Sequence, residues 1–188
     1  MAVEKYARIT ALTVVLPETS AKEGLVRKAG SFESCRQGSL QQMNEKQFDP
    51  RMHSAEHIIN QTMIRMFGCK RCFSAHIEKK KSKVDYRFDR DLLEQEVEQL
   101  QNRVNEIIAA DLPVLEEAMS RHEAERVFNL QRLPDTAGDR IRIIRIGDYD
   151  ACPCIGPHVK STKELGRFRV ISTSFDKGVL RIRFKLEA

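Results

Sequence analysis

The chain has no tryptophan, and aromatic residues make up only 6% of its 188 positions. Binding single-stranded nucleic acid on a base-stacking platform takes more rings than that, so that class is set aside. No apolar run approaches the length of a membrane span, and the N-terminus lacks the apolar h-region of a secretory signal. The expectation is a cytoplasmic protein with no membrane partner. Cysteines are few and odd in number: five, with Cys35 alone and the others in the pairs Cys69/Cys72 and Cys152/Cys154. That pattern is not a secreted disulfide framework, and in a cytosolic chain it turns attention to metal binding. Internal repeats and low-complexity tracts are also absent. The net charge of +5 permits a polyanionic partner without requiring one.

What is present suits one domain with a small appendage. Residues 6–15 are β-prone, and from Pro17 to Pro50 the pattern fades into Gly, Ser, Lys, Glu and Gln, so residues 1–50 are read as an N-terminal extension of a strand plus loop. Residues 51–188 hold the patterned part. Pro50 precedes a helical stretch over 52–67, whose stripe is Ile59, Met63, Met66 and Phe67, with Gly68 as its stop. Two strands, 72–78 and 83–88, flank a Lys79–Lys81 hairpin tip. Asp91 with Glu94 reads as a capping box opening a second helix, with Leu93, Val97, Leu100, Val104 and Ile107 on one face. A strand begins at Leu112-Pro113-Val114. Ser120 and Glu123 cap a short helix that buries Val127 and Phe128, and His122 in its first turn is a surface residue. Ile141–Ile146 is a strand, and Phe168–Phe175 with Val179–Leu186 a hairpin turning at Asp176-Lys177-Gly178. Helices alternating with paired strands predict an α+β fold with a mostly antiparallel sheet.

Two short motifs carry the chemistry. His53 and His57 lie four apart on the first helix and share a face. Cys154 and His158 lie four apart with Gly156-Pro157 bending the chain between them. Each pair alone is a weak signal, but three imidazoles and a thiolate together make a tetrahedral ligand set. Zn2+ is the expected ion, because magnesium and calcium prefer oxygen. The set is His-rich and split across a hundred residues, which favours chemistry over a closed structural knuckle. Glu56 opens a second reading, since His53–His57 spells the inverted zincin pattern H-x-x-E-H, in which the glutamate is the general base of a metallopeptidase. A non-catalytic, zinc-containing RNA-binding module is a third. Cys69-Lys70-Arg71-Cys72 has no second pair to complete a knuckle and reads as incidental. Lys79, Lys80 and Lys81, with Arg181, Arg183 and Lys185, are candidates for phosphate contacts.

His-x-x-x-His on a helix followed by Cys-x-x-x-His on a late loop resembles the second additional domain of alanyl- and threonyl-tRNA synthetases and the freestanding AlaX-type editing proteins. The resemblance runs from about Met52 to Leu186 and includes Leu112-Pro113-Val114, Arg145-Ile146-Gly147-Asp148 and Glu164-Leu165-Gly166-Arg167-Phe168. It implies an editing-domain fold, tRNA as partner, and hydrolysis of the ester joining a wrong amino acid to the terminal ribose. The family's metal ligands carry over onto His53, His57, Cys154 and His158, which are then also the catalytic residues. Serine mischarged on an alanine or threonine tRNA is the implied substrate. Ser74 falls where the freestanding proteins place a threonine that contacts the substrate side chain, and His76 shares its face on a strand. Cys152 stands where the threonyl type carries an Asp, so these three are the expected substrate-binding positions. Gly156-Pro157 resembles the threonyl type, whereas the architecture resembles the alanyl one.

Overall fold

The computed structural model describes residues 49–131, 133 and 138–187, all within one compact unit, Gln42–Ala188. The strand expected over 6–15 and the loop after it lie outside the described residues. Asp49 starts the first helix, α1 (Pro50–Phe67), by accepting the backbone N–H groups of Arg51 at 2.9 Å and Met52 at 3.2 Å. Pro50 fits the first turn because it has no N–H to leave unsatisfied. Then follow β1 (Ser74–His76), β2 (Ser82–Arg87), α2 (Glu94–Ala109), β3 (Val114–Ser120), α3 (Arg121–Val127), β4 (Arg140–Ile146), β5 (Asp150–Pro153), a 3-10 turn at Thr162–Leu165, β6 (Arg167–Asp176) and β7 (Val179–Glu187). One antiparallel sheet has the order β1-β2-β7-β6 and a second the order β3-β4-β5. The fold is α+β, as expected.

The main core lies between the inner face of the larger sheet and the two long helices. Val84, Tyr86, Phe168, Leu180, Ile182 and Phe184 come from the sheet, Met52, Ile58, Ile59 and Met63 from α1, and Leu100 and Val104 from α2, all essentially inaccessible to water. Each such side chain contributes about 1.5–3 kcal/mol relative to exposure. β4 is covered on both faces: Ile144 and Ile146 join the main core, while Ile141 and Ile143 pack with Ala124 of α3. That double burial explains why isoleucines stand at both odd and even positions of the strand, between three arginines. The β6–β7 hairpin turns on Lys177 and Gly178 at φ of 47° and 80°. Two successive positive values make the turn that matches strand twist.

Four details differ from the sequence reading. α2 begins two residues later than the Asp91–Glu94 box implies: Leu93 is its cap residue and its N–H donates to Glu96 at 2.9 Å. Leu93 is therefore exposed, and Leu92 and Ile108 take the core positions. Ser120 and Glu123 do cap α3, but Ala124 is the residue it buries and Val127 is 69% exposed. Asp150–Pro153, between Ile146 and Cys154, is a strand, β5, that the sequence reading does not include.

Candidate metal centre and the adjoining cavity

α1 and β5 meet because the β4–β5 turn is bonded to the helix. Tyr149 Oη lies 2.8 Å from Thr62 Oγ1, and Arg65 donates to the Tyr149 carbonyl at 2.8 Å with its guanidinium over the ring. This places the loop after β5 against His53 and His57. Arg142 on β4 shapes that loop, donating to the carbonyls of Cys154 at 3.1 Å and Gly156 at 2.7 Å while bonded to Glu116 on β3. Gly156 passes so close to His53 that a Cβ there would overlap the ring, so only glycine fits.

His53, His57, Cys154 and His158 each offer a donor atom within 4.8 Å of the others, a group that can hold a metal ion. Each imidazole has its Nδ1 engaged from outside the group. His53 Nδ1 is 3.2 Å from the Pro157 carbonyl and donates to it, and His158 Nδ1 is 3.0 Å from Ser54 Oγ. His57 Nδ1 faces Cys152 Sγ at 3.3 Å and Asp150 Oδ2 at 3.7 Å. Such contacts fix the tautomer and leave Nε2 as the inward donor. Cys154 Sγ lies 3.4 Å from His53 Nε2 and 3.5 Å from His158 Nε2. One thiol proton cannot serve two ring nitrogens, whereas a tetrahedral ion with arms of about 2.1 Å to nitrogen and about 2.3 Å to sulfur sets them about 3.6 Å apart. The residues fit a shared cation.

Electrostatics agree. Burial, reinforced by each other's proximity, holds the His57 imidazolium well below its ordinary range and lowers His158 to about 3; burial also lowers His53. All three rings are neutral at physiological pH with lone pairs available. Burial raises the Cys154 thiol, so without a cation nearby it stays protonated.

A second group, His57, Asp150 and Cys152, also comes within ligand distance. It differs in holding a cation already: the Arg71 guanidinium is ion-paired with Asp150, whose side chain is 1% exposed. Among the described residues Asp150 Oδ2 has no hydrogen-bond partner, and it lies 3.7 Å from His57 Nδ1.

A cavity of about 480 Å3 opens beside the four-residue group. Its lining joins polar and ligand-type residues, His53, Glu56, His57, Arg71, Cys152 and Cys154, with apolar Ala75, Ile77, Val127, Phe128 and Ile155. Glu56 is anchored by one oxygen, Oε1, which accepts from Asn60 Nδ2 at 2.7 Å; its Oε2 lies 4.0 Å from His57 Nε2. Cys72 is part of this anchor, donating its backbone N–H to Asn60 Oδ1 at 2.7 Å.

The expected residues separate into two sets. The four expected ligands come together and Cys152 lines the cavity. Ser74 and His76 do not: they are exposed and are absent from the cavity lining, which Ala75 between them and Ile77 just after β1 do reach. Ser74 pairs with Asp85 and His76 with Lys83 of β2. His76 instead lies 2.7 Å from Glu78. Lys79, Lys80 and Lys81 are exposed between β1 and β2, as expected of a tip. Sequence reasoning missed Arg71, Asp150 and Arg142. The available signals were an arginine between two isoleucines for Arg142, and the nearness of Arg71 and Asp150 to motif cysteines.

Comparison with known proteins bears on this site. Residues 141–183, which span β4, β5, the Cys154–His158 loop and most of the final hairpin, match the model of the threonyl and alanyl tRNA synthetase second additional domain. The chain is 30% identical over 195 residues to an alanine–tRNA ligase of Treponema denticola, covering 98% of this chain and 31% of that protein. It is 31% identical over 134 residues to the alanine–tRNA ligase of Fervidobacterium nodosum, covering 70% of this chain and 16% of the relative. It is 31% identical over 135 residues to the alanyl-tRNA editing protein AlaX-L of Pyrococcus horikoshii, covering 71% and 32%. The chain thus spans a third or less of these relatives. The pairing of α1 histidines with the Cys154–His158 loop, in the α+β frame described above, and these similarities identify the chain as a member of the threonyl and alanyl tRNA synthetase second additional domain family, to which the AlaX-type editing proteins belong.

Proposed function

We propose that the chain hydrolyses the ester of a mischarged aminoacyl-tRNA at the His53/His57/Cys154/His158 centre, with residues 51–188 as the editing domain and serine on an alanine or threonine tRNA as substrate. The observation that carries the reading is the union of three imidazoles and one thiol beside a cavity that also holds a carboxylate. Three nitrogens and one sulfur suit Zn2+, which when bound supplies Lewis-acid polarisation of the ester carbonyl.

The chain's own residues account for the rest. An aminoacyl ester is already activated, so positioning and proton transfer are what the protein must add. Glu56, held through Oε1, turns Oε2 to the cavity and takes the proton of the attacking water as its oxygen bonds to the ester carbon. When the ester C–O bond breaks, that proton passes to the leaving ribose oxygen. Ser74 does not line the cavity, so the group placed to read a serine hydroxyl is Arg71, whose guanidinium has donors beyond the one given to Asp150. Val127, Phe128 and Ile155 offer apolar surface to the terminal nucleoside, and the exposure of Val127 and Ile155, each 69%, leaves it open to a ligand. In the peptidase reading the downstream ligand is a glutamate; here Cys154 and His158 complete the set, and among the described residues no glutamate joins it.

The test is a deacylation panel of seryl-, glycyl- and alanyl-tRNA. Seryl-tRNA is expected to turn over, and Glu56→Gln, which keeps the acceptor for Asn60, is expected to slow it by about 100-fold or more. If none of the three is hydrolysed faster than the buffer blank, the reading fails.

A further inference from the structure

The outer face of the β1-β2-β7-β6 sheet has a charge pattern that stability alone does not explain. Leu180, Ile182 and Phe184 point into the core, so Arg181, Arg183 and Lys185 occupy the other face of β7. By the same alternation Lys83 on β2 and Arg167 and Arg169 on β6 lie on that face. Lys83 is directly opposite Arg183, and Arg169 directly opposite Lys185. Like charges in such register destabilise a sheet. Two carboxylates temper the face: Asp85 binds Arg181 at 2.7 Å, and Glu187 lies 2.8 Å from Lys185 and 3.5 Å from Arg169. Among the described residues neither Lys83 nor Arg183 has a carboxylate within ion-pair distance. Hydroxyls continue the rows, with Ser172 opposite Arg183 and Ser174 opposite Arg181. Alongside, Phe73 is 44% exposed, with the Arg87 guanidinium 4.3 Å above its ring.

Cations in excess, hydroxyl donors between them and an exposed ring beside them complement a phosphate backbone. The face is also continuous with the site. β1 is its edge strand, with Ser74 and His76 exposed; Ala75 and Ile77 line the cavity, and the exposed Lys79–Lys81 tip leads directly into Lys83. We propose that this sheet face is an RNA docking surface centred on Lys83 and Arg183, which holds the body of the RNA while its end passes around the β1 edge into the cavity. That the RNA is a tRNA rests on the deacylase reading; the surface itself does not.

The test compares the full-length chain with the Lys83→Gln/Arg183→Gln double variant, binding uncharged tRNA over a potassium chloride series. The variant is expected to bind about tenfold more weakly, with the slope of log affinity against log salt reduced by about two. Its thermal midpoint should stay level or rise, since a like-charged pair has been removed. Unchanged affinity and slope would overturn the proposal, as would weaker binding accompanied by a lower midpoint. Phosphatidylserine vesicles are the control: vesicle binding that the double variant loses, with tRNA binding intact, would overturn it in favour of a lipid surface. Hydrolysis of a seryl ester of adenosine, which lacks the tRNA body, separates the two readings. The variant should match the parent there; if the parent hydrolyses neither this ester nor seryl-tRNA, the deacylase reading fails while the binding comparison still decides the surface.

Discussion

Two clusters of ligand-type side chains meet at His57, and they behave in opposite ways. On its Nε2 side, His53, Cys154 and His158 gather neutral donors around a point with no protein cation among them. On its Nδ1 side, Asp150 and Cys152 gather around a guanidinium. Both bring ligand atoms close enough to share an ion, but the second already holds a cation of the protein's own. The second acts on the first by orienting the His57 ring, as the partners of metal-bound imidazoles do. Proximity of ligands is therefore a weaker guide than the charge already present among them.

The sharpest way to break this contrast is to remove one thiol from each side. Cys154→Ser is expected to lower metal affinity by at least about 100-fold, because a hydroxyl is a poor replacement for thiolate. Cys152→Ser should keep one ion per chain. Elemental analysis after dialysis reads both; equal losses would erase the distinction. Next in size is Arg71→Met, which strands Asp150 as a buried unpaired carboxylate. About 3 kcal/mol of stability should be lost, the low end of the usual range because Arg71 is itself a quarter exposed. Denaturant unfolding checks this, and a neutral result would mean the guanidinium does not occupy the cation position.

The smallest effect comes from the same pairing where the cation is more open to solvent: the Arg181 side chain is 36% exposed, although Asp85 is buried. The bond from Arg181 holds the Asp85 carboxyl below its ordinary range. A depressed carboxyl adds stability that is fully present above its unfolded value, about 3.9, and is lost as pH falls through the folded value. Asp85→Asn should cost only a few tenths of a kcal/mol at neutral pH and less at pH 2. Unfolding at the two pH values measures it; a cost at pH 2 as large as at neutral pH would contradict the assignment.

Much of this was legible in the chain. The His53/His57 and Cys154/His158 spacings are local, and local geometry on a helix or tight loop is encoded within a few residues. The capping of α3 by Ser120 and Glu123 and the turn at Lys177-Gly178 were readable for the same reason. Long-range choices were not. Which face of β1 meets the cavity depends on β2 pairing, and with only three residues in the strand the sequence holds no apolar stripe to decide it. The Arg71–Asp150 pair joins residues 79 apart through a fold that neither segment specifies alone. Val127 is apolar at a helical position but ends at a cavity, where exposure serves a ligand better than a core.

The most direct measurement is X-ray absorption at the zinc edge of the full-length, zinc-loaded protein. Three nitrogen scatterers at about 2.0–2.1 Å and one sulfur at about 2.3 Å are predicted. A shell with two sulfurs, which would bring Cys152 into the set, or one with no sulfur at all, would contradict the centre described above.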